Sequence, residues 1–227
     1  MMKIVAMLLV ALCISGALFP ANSQAVKKQK YLALGDSYTI GESVDVLLKF
    51  PVQLIVRLNY EKIELDPKII AKTGWTTDEL LEAIEEEAPS DDFDLVTLLI
   101  GVNNQYRGRD VDNYRQEFQV LLNKAVEFAK AEKDRVIVLS IPDYGVTPFG
   151  QKKGQRAIAE EIDQYNAINR EISEQAGVNY IDITEISREA LTKRYLIAQD
   201  ELHPSGEMYG LWVDKMMSLV LEILKSE

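Results

Sequence analysis

Four short polar segments hold the side chains best suited to chemistry: Gly35-Asp36-Ser37-Tyr38, Thr73-Gly74-Trp75, Gly101-Val102-Asn103-Asn104 and Asp200-Glu201-Leu202-His203-Pro204. Together they offer a hydroxyl, a glycine amide, a carboxamide, a carboxylate and an imidazole, the inventory of nucleophilic acyl transfer. A serine hydroxyl attacks only when a base takes its proton, and the imidazolium so formed needs a carboxylate to orient and stabilise it. The chain has a single histidine, so if it performs Ser-His chemistry the base is His203. Asp200, three residues earlier, can reach Nδ1 across one turn of irregular backbone and leave Nε2 for Ser37. Glu201 is the competing orienter, less favoured because positions two apart tend to diverge. Charge building on the carbonyl oxygen must meet preorganised donors, each worth roughly 10² to 10³ in rate. The candidates are the backbone amides of Ser37 and Gly74 and the side-chain NH₂ of Asn103.

Taken singly, each segment has a plainer reading: Ser37 as a helix cap, Gly74 and Asn103-Asn104 as turn residues, Asp200 to Pro204 as a loop closing onto a helix. The chemical reading requires a scaffold that brings all four to one place, and the hydrophobic pattern supplies it. Short apolar runs at Tyr31 to Leu34, Lys68 to Ala71, Phe93 to Ile100, Arg135 to Ile141 and Val178 to Ile181 read as strands. Between them lie helical periods. One opens at Pro51 and carries Val52, Ile55, Val56 and Leu58. Another follows a capping box at Thr76-Thr77-Asp78-Glu79. A third runs through Tyr114, Phe118, Leu121, Leu122, Ala125 and Phe128, and a fourth through Ile158, Ile162, Tyr165, Ile168 and Ile172 to Gly177. The last is capped by Ser205 and reaches Leu224. Five strands alternating with helices predict an α/β protein, a three-layer α/β/α sandwich on a parallel sheet with right-handed crossovers. In such sheets ligands gather beyond the carboxyl ends of the strands, and the first three polar segments each follow a strand. Trp75, Tyr106 and Arg107, with Tyr144 to Phe149 after the fourth strand, are the candidates for lining a substrate pocket; Trp75, Tyr106 and Tyr144 lead them.

Composition narrows the partners. The 227 residues are 47% hydrophobic and 27% charged, as in an ordinary globular chain of one domain. A net charge of −11 without a cluster of Lys and Arg argues against nucleic acid and against an anionic membrane surface. One cysteine and one histidine exclude an intrachain disulfide, a Cys-rich zinc site, a three-His site and an HExxH pair.

Lys3 precedes an unbroken apolar run from Ile4 to Ile14, followed by Ser15, Gly16, Pro20 and the small residues of Ala21-Asn22-Ser23-Gln24-Ala25. This pattern is that of a secretory signal peptide over residues 1–25, cut after Ser23 or Ala25, with a single domain over 26–227. The run falls short of the about 20 apolar residues of a membrane span, so no stable span is expected after processing. A retained anchor helix is the alternative. Cys13 follows the bulky Leu12 and is taken as an apolar residue of the signal rather than a lipidated cysteine.

The stretch Tyr31 to Glu42, the Gly74 turn, Gly101 to Asn104 and Asp200 to Pro204 resemble, in order and spacing, the four blocks of the GDSL or SGNH hydrolases. The resemblance spans nearly the whole chain after Tyr31. It implies a flavodoxin-like sandwich, no metal or organic cofactor, and ester hydrolysis through an acyl-enzyme. By position Ser37 matches the nucleophile, Asp200 and His203 the other triad members, and Gly74 and Asn103 the oxyanion donors beside the Ser37 amide. Two positions depart from the pattern: Tyr38 stands for a leucine, and Asn104 for a frequent aspartate. The expectation is an exported serine esterase acting on small-molecule, lipid or glycan esters. A lysophospholipase or other lipid esterase, a thioesterase, a glycan O-deacetylase and an acyltransferase are variants of that chemistry. A silent binding protein on the same fold is the alternative of another class.

Overall fold

A computed structural model describes residues 28–226, and the expected signal segment lies outside them. In chain order the elements are β1 (Gln29–Gly35), α1 (Ser37–Ile40), α2 (Phe50–Tyr60), β2 (Leu65–Ala71), α3 (Thr77–Glu87), β3 (Leu95–Leu99), α4 (Val102–Tyr106) and α5 (Val111–Phe128). They continue with β4 (Val136–Leu139), α6 (Pro148–Lys153), α7 (Gln155–Ala176), β5 (Asn179–Ile181), α8 (Thr184–Arg188) and α9 (Gly206–Lys225). The five strands form one parallel sheet in the order β2-β1-β3-β4-β5. Helices α2 and α9 pack together on one face, and α3, α5 and α7 on the other, giving the expected three layers. Among the described residues no helix is long and apolar enough to cross a membrane.

Sequence explains most of this. Tyr31 to Leu34 are fully buried because β1 is covered on both faces and paired on both sides, and a strand so placed has no polar face to show. β2 begins at Leu65, three residues before the apolar run suggested. It is an edge strand, where Pro67 costs no ladder bond on its open side and outward-facing polar residues are tolerated. The β3 ladder stops short of Phe93 and Ile100, and at its start Phe93 N–H donates to Phe128 O rather than to a neighbouring strand. The helix starts follow their caps: Glu79 Oε2 accepts from Thr76 N–H at 2.9 Å, and Ser205 Oγ accepts from Met208 N–H at 3.3 Å.

The register fixes the edge that matters. Gly35 pairs with Ala71 on one side and Leu99 on the other, so β1, β2 and β3 end level with one another. After β1 the chain turns at once into α1, with Asp36 at its cap. The Asp36 side chain is 1% exposed; Oδ1 accepts from Tyr38 N–H at 3.0 Å, while Oδ2 is buried without a protein partner. Burial pushes its carboxyl up to about 7, against the smaller pull of the backbone hydrogen bonds. After β3 the chain turns at Gly101, whose φ of +129° suits glycine, and where a Cβ would come within 2.6 Å of the Tyr114 hydroxyl. The short α4 that follows is latched to α3 by Asn104. Its Oδ1 accepts from Thr77 N–H at 3.1 Å and its Nδ2 donates to Thr77 Oγ1 at 2.6 Å, with Asn104 fully buried.

Two outcomes follow for stability. Between about pH 4 and pH 7 the folded chain holds a proton on Asp36 that the unfolded chain releases, so this group weakens the fold as pH rises through that window and no further above it. Asp36→Asn keeps the acceptor for Tyr38 and removes the titration. Urea unfolding of both proteins from pH 4.5 to 7.5 is expected to show the variant gaining on the wild type up to pH 7, and parallel curves would refute the assignment. Asn104→Ala leaves the Thr77 amide without its acceptor and is expected to cost about 2 kcal/mol in the same measurement. A loss below about 0.5 kcal/mol would mean that the latch carries no load.

Candidate active site

Residues just beyond the level strand ends line one cleft of about 570 Å³, open to solvent. Ser37, Thr73, Gly74 and Asn103 line it together with Tyr38, Val102, Tyr106, Tyr144, Phe149, Leu202 and His203. Ser37 is the first residue of α1 and is 5% exposed. Its amide donates to no protein group among the described residues, since no preceding turn offers a carbonyl, and the Gly74 amide is likewise unused. Gly74 has φ +87°, a value that favours glycine. Its carbonyl is held by Arg107, whose Nη2 donates to it at 2.5 Å while Nη1 reaches Glu79 Oε1 at 3.1 Å. Asn103 Nδ2 donates one hydrogen to Trp75 O at 2.9 Å, which leaves its second N–H for a ligand. Two backbone amides and one carboxamide N–H of residues lining this cleft therefore have no protein partner among the described residues.

His203 enters from the far end of the chain on a loop closed at its neck. Ile197 and Pro204 form an antiparallel bridge, and Ala198 N–H donates to His203 O at 2.8 Å. Glu201 takes φ +63°, which turns the backbone back on itself and brings Asp200 under the imidazole. His203 Nδ1 donates to Asp200 Oδ2 at 2.5 Å, and Asp200 Oδ1 accepts from the Leu202 and His203 amides at 3.0 Å each. Glu201 instead faces away, with its carboxylate 3.4 Å from Lys152 Nζ. Partial burial alone would raise the Asp200 carboxyl. The bonds from the His203 ring and amide, from Ser43 and from the Leu202 amide outweigh it and bring the carboxyl down to about 2. The group is thus an anion at any ordinary pH, so Nδ1 carries the proton and Nε2 is the basic nitrogen. The imidazole leans on Tyr38, edge to face at 6.0 Å, and Tyr38 leans in turn on the buried Trp212 at 6.3 Å. The tyrosine that departs from the family pattern therefore supports the histidine ring.

Of the residues proposed for the pocket, Tyr106 and Tyr144 line the cleft and stack edge to face at 6.2 Å. Trp75 does not line it: its indole packs against the core, and only its carbonyl, through Asn103, touches the site. Arg107 likewise acts through Gly74 rather than as a lining side chain. From the Tyr144 to Phe149 segment only the two end residues reach the cleft. Leu202 also lines it, a position that the Asp-x-x-His spacing marks only indirectly as the residue before the histidine. Among the described residues no group of three or more Asp, Glu, His or Cys side chains is placed to hold a metal ion.

Comparison with known proteins shows the family of the chain. The model of the GDSL-like lipase/acylhydrolase family matches residues 33–211. An acetylxylan esterase from Geobacillus stearothermophilus is 26% identical over 153 residues, 63% of this chain and 67% of that protein. Among solved structures, the acetylxylan esterase Axe2 from Geobacillus stearothermophilus superposes with a TM-score of 0.67 at 20% identity, covering 85% of this chain and 94% of its own. The psychrotrophic esterase EstA from Pseudoalteromonas sp. gives 0.63 at 17% identity, over 87% and 100%. The likeness of these structures is one of fold, and the family match spans all four polar segments, from the first strand to the last helix: the chain belongs to the GDSL-like lipase/acylhydrolase family.

Proposed function

We propose that the protein hydrolyses carboxylic esters through an acyl-enzyme on Ser37, with His203 as the base and Asp200 as its orienter. The observation that carries this is Asp200 bound to Nδ1 of an imidazole on the same cleft as Ser37 and three N–H groups without a protein partner among the described residues. Ser37 Oγ forms a bond to the ester carbonyl carbon as its proton passes to His203 Nε2. The carbonyl oxygen, now negative, is received by the Ser37 and Gly74 amides and by Asn103 Nδ2. Collapse breaks the bond to the alcohol oxygen, which takes the proton from Nε2. Water then repeats the sequence on the acyl-enzyme, returning the Ser37 hydroxyl and releasing the acid.

The cleft supports a substrate class. Beside its polar donors the cleft is lined by Tyr38, Val102, Tyr144, Phe149 and Leu202, which make most of its lining apolar. Such a lining suits an acyl chain of several carbons better than acetate, because each buried methylene contributes about 0.8 kcal/mol. Esters of short to medium aliphatic acids are therefore the proposed substrates. A second reading, O-acetyl groups on a glycan, is favoured by the relative described as an acetylxylan esterase and by Tyr106, half exposed at the rim. The apolar run from Ile4 to Ile14 supports export of the enzyme.

Hydrolysis of p-nitrophenyl acetate, butyrate, octanoate and palmitate by the purified protein tests this. The kcat/KM is expected to rise by about tenfold from acetate to butyrate or octanoate, and Ser37→Ala to lower it by about 10⁴ or more. Phe149→Ala is expected to cost the longer esters more than the acetate. A profile that falls steadily from acetate favours the glycan reading, and a folded wild type inert on all four esters overturns the esterase in favour of a binding protein.

A further inference from the structure

The segment after α1 touches the Asp200–His203 pair. Ser43 sits there at φ +65°, a conformation that costs a non-glycine residue free energy and persists where surrounding contacts hold it. The holding contacts are visible. The amides of Gly41 and Glu42 both donate to Ser37 O at 3.0 Å, tying the turn back to the serine at the start of α1. The Ser43 hydroxyl in turn donates to Asp200 Oδ2 at 2.7 Å. Oδ2 is the oxygen that binds His203 Nδ1, and the other donors to Asp200 among the described residues, the amides of Leu202 and His203 and the imidazole, all belong to its own loop. Ser43 is therefore the contact that joins the carboxylate to the element bearing Ser37, across 157 residues of sequence.

We infer that Ser43 is a positioning residue for the reaction: its hydroxyl fixes the Asp200 carboxylate so that Oδ2 stays on Nδ1, and it sets the distance between the histidine loop and the α1 serine. This rests on the triad reading given above. Without the hydroxyl, the two loop amides still hold Oδ1 but Oδ2 keeps the imidazole alone, and with 29% of the Asp200 side chain exposed water competes for that oxygen. Nothing in the contact involves substrate, so the effect falls on kcat rather than on KM.

A double-mutant cycle with a p-nitrophenyl ester separates this from a merely structural role. Ser43→Gly keeps the left-handed backbone and deletes the hydroxyl; Ser43→Ala deletes it without easing the backbone, and so serves as the second variant. Ser43→Gly is expected to lower kcat about tenfold with KM within about twofold, and to change kcat by less than about twofold when Asp200→Ala is already present. The same loss in both backgrounds, or no loss in either variant that keeps its unfolding midpoint, overturns the role of Ser43 and leaves the triad standing. If Asp200→Ala alone leaves kcat unchanged, the triad reading fails, and this inference with it.

Discussion

The donors and the proposed nucleophile of this site depend on the pairing of β1. Because Gly35 is level with Ala71 and Leu99 at once, three strands release their chains at the same height. Ser37, Gly74 and Asn103 lie two, three and four residues beyond those positions. The turn between β1 and α1 leaves no slack: a Cβ on Gly35 would lie 2.4 Å from Leu99 O and 2.2 Å from Thr39 Oγ1. That closeness lets α1 begin immediately at the sheet edge, so the Ser37 hydroxyl and amide share one rigid origin. A slip of one residue would send every side chain of β1 to the opposite layer, where it meets different packing partners, and would leave the strand ends no longer level. For Ser37 and the donors, the precision that the proposed acyl transfer demands is thus inherited from sheet pairing rather than built separately in each loop.

The two aspartates that flank the chemistry show how little a residue type alone decides. Asp36 and Asp200 stand next to the proposed nucleophile and the proposed base. Asp36 is buried with one backbone donor on Oδ1 and none on Oδ2, and its carboxyl is pushed up to about 7. Asp200 is less buried and carries four donors, and its carboxyl falls to about 2. Desolvation dominates in the first and hydrogen bonding to the anion in the second. Only the second is suited to stabilise a cation that forms during reaction. In a chain of net charge −11 the useful negative charge is the one surrounded by donors, and the rest of the acidity lies mainly on solvated surface.

Much of this was legible beforehand, and the exceptions have physical reasons. The five strands showed as apolar runs because a doubly covered parallel sheet leaves no polar face, and Thr76 and Ser205 showed as caps because their neighbours carry the matching pattern. The first residues of β2 did not show, since an edge strand with Pro67 and outward polar residues has no hydrophobic signature. The helices α1, α4 and α6 are too short to display a period. Trp75 does not line the cleft because adjacency to Gly74 in sequence says nothing of direction: the turn that aims its carbonyl at Asn103 lays its indole against the core. Ser43, Asn104 and Arg107 act through partners 157, 27 and 33 positions away, and such contacts exist only once the sheet has closed.

The cleft divides the labour between two kinds of structure. Its donors and proposed nucleophile rest on strand ends and helix starts, held by backbone geometry that a side-chain change hardly moves. Its apolar lining comes from Tyr38 on α1, Val102 and Tyr106 on α4, Tyr144 between β4 and α6, Phe149 on α6 and Leu202 in the histidine loop, and the last three lie away from the ends of β1, β2 and β3 that carry the donors. Substitutions at Tyr106, Phe149 or Leu202 can therefore reshape the accepted acyl group while Ser37, Gly74 and Asn103 keep their places. Relatives that share the sheet at 17 to 26% identity have room to differ in substrate for the same reason. The limit on that freedom is Tyr38, which lines the cleft with one face of its environment and supports the His203 ring with another. At this one position specificity and base geometry cannot vary independently, and a smaller residue there would widen the cleft only by loosening the imidazole.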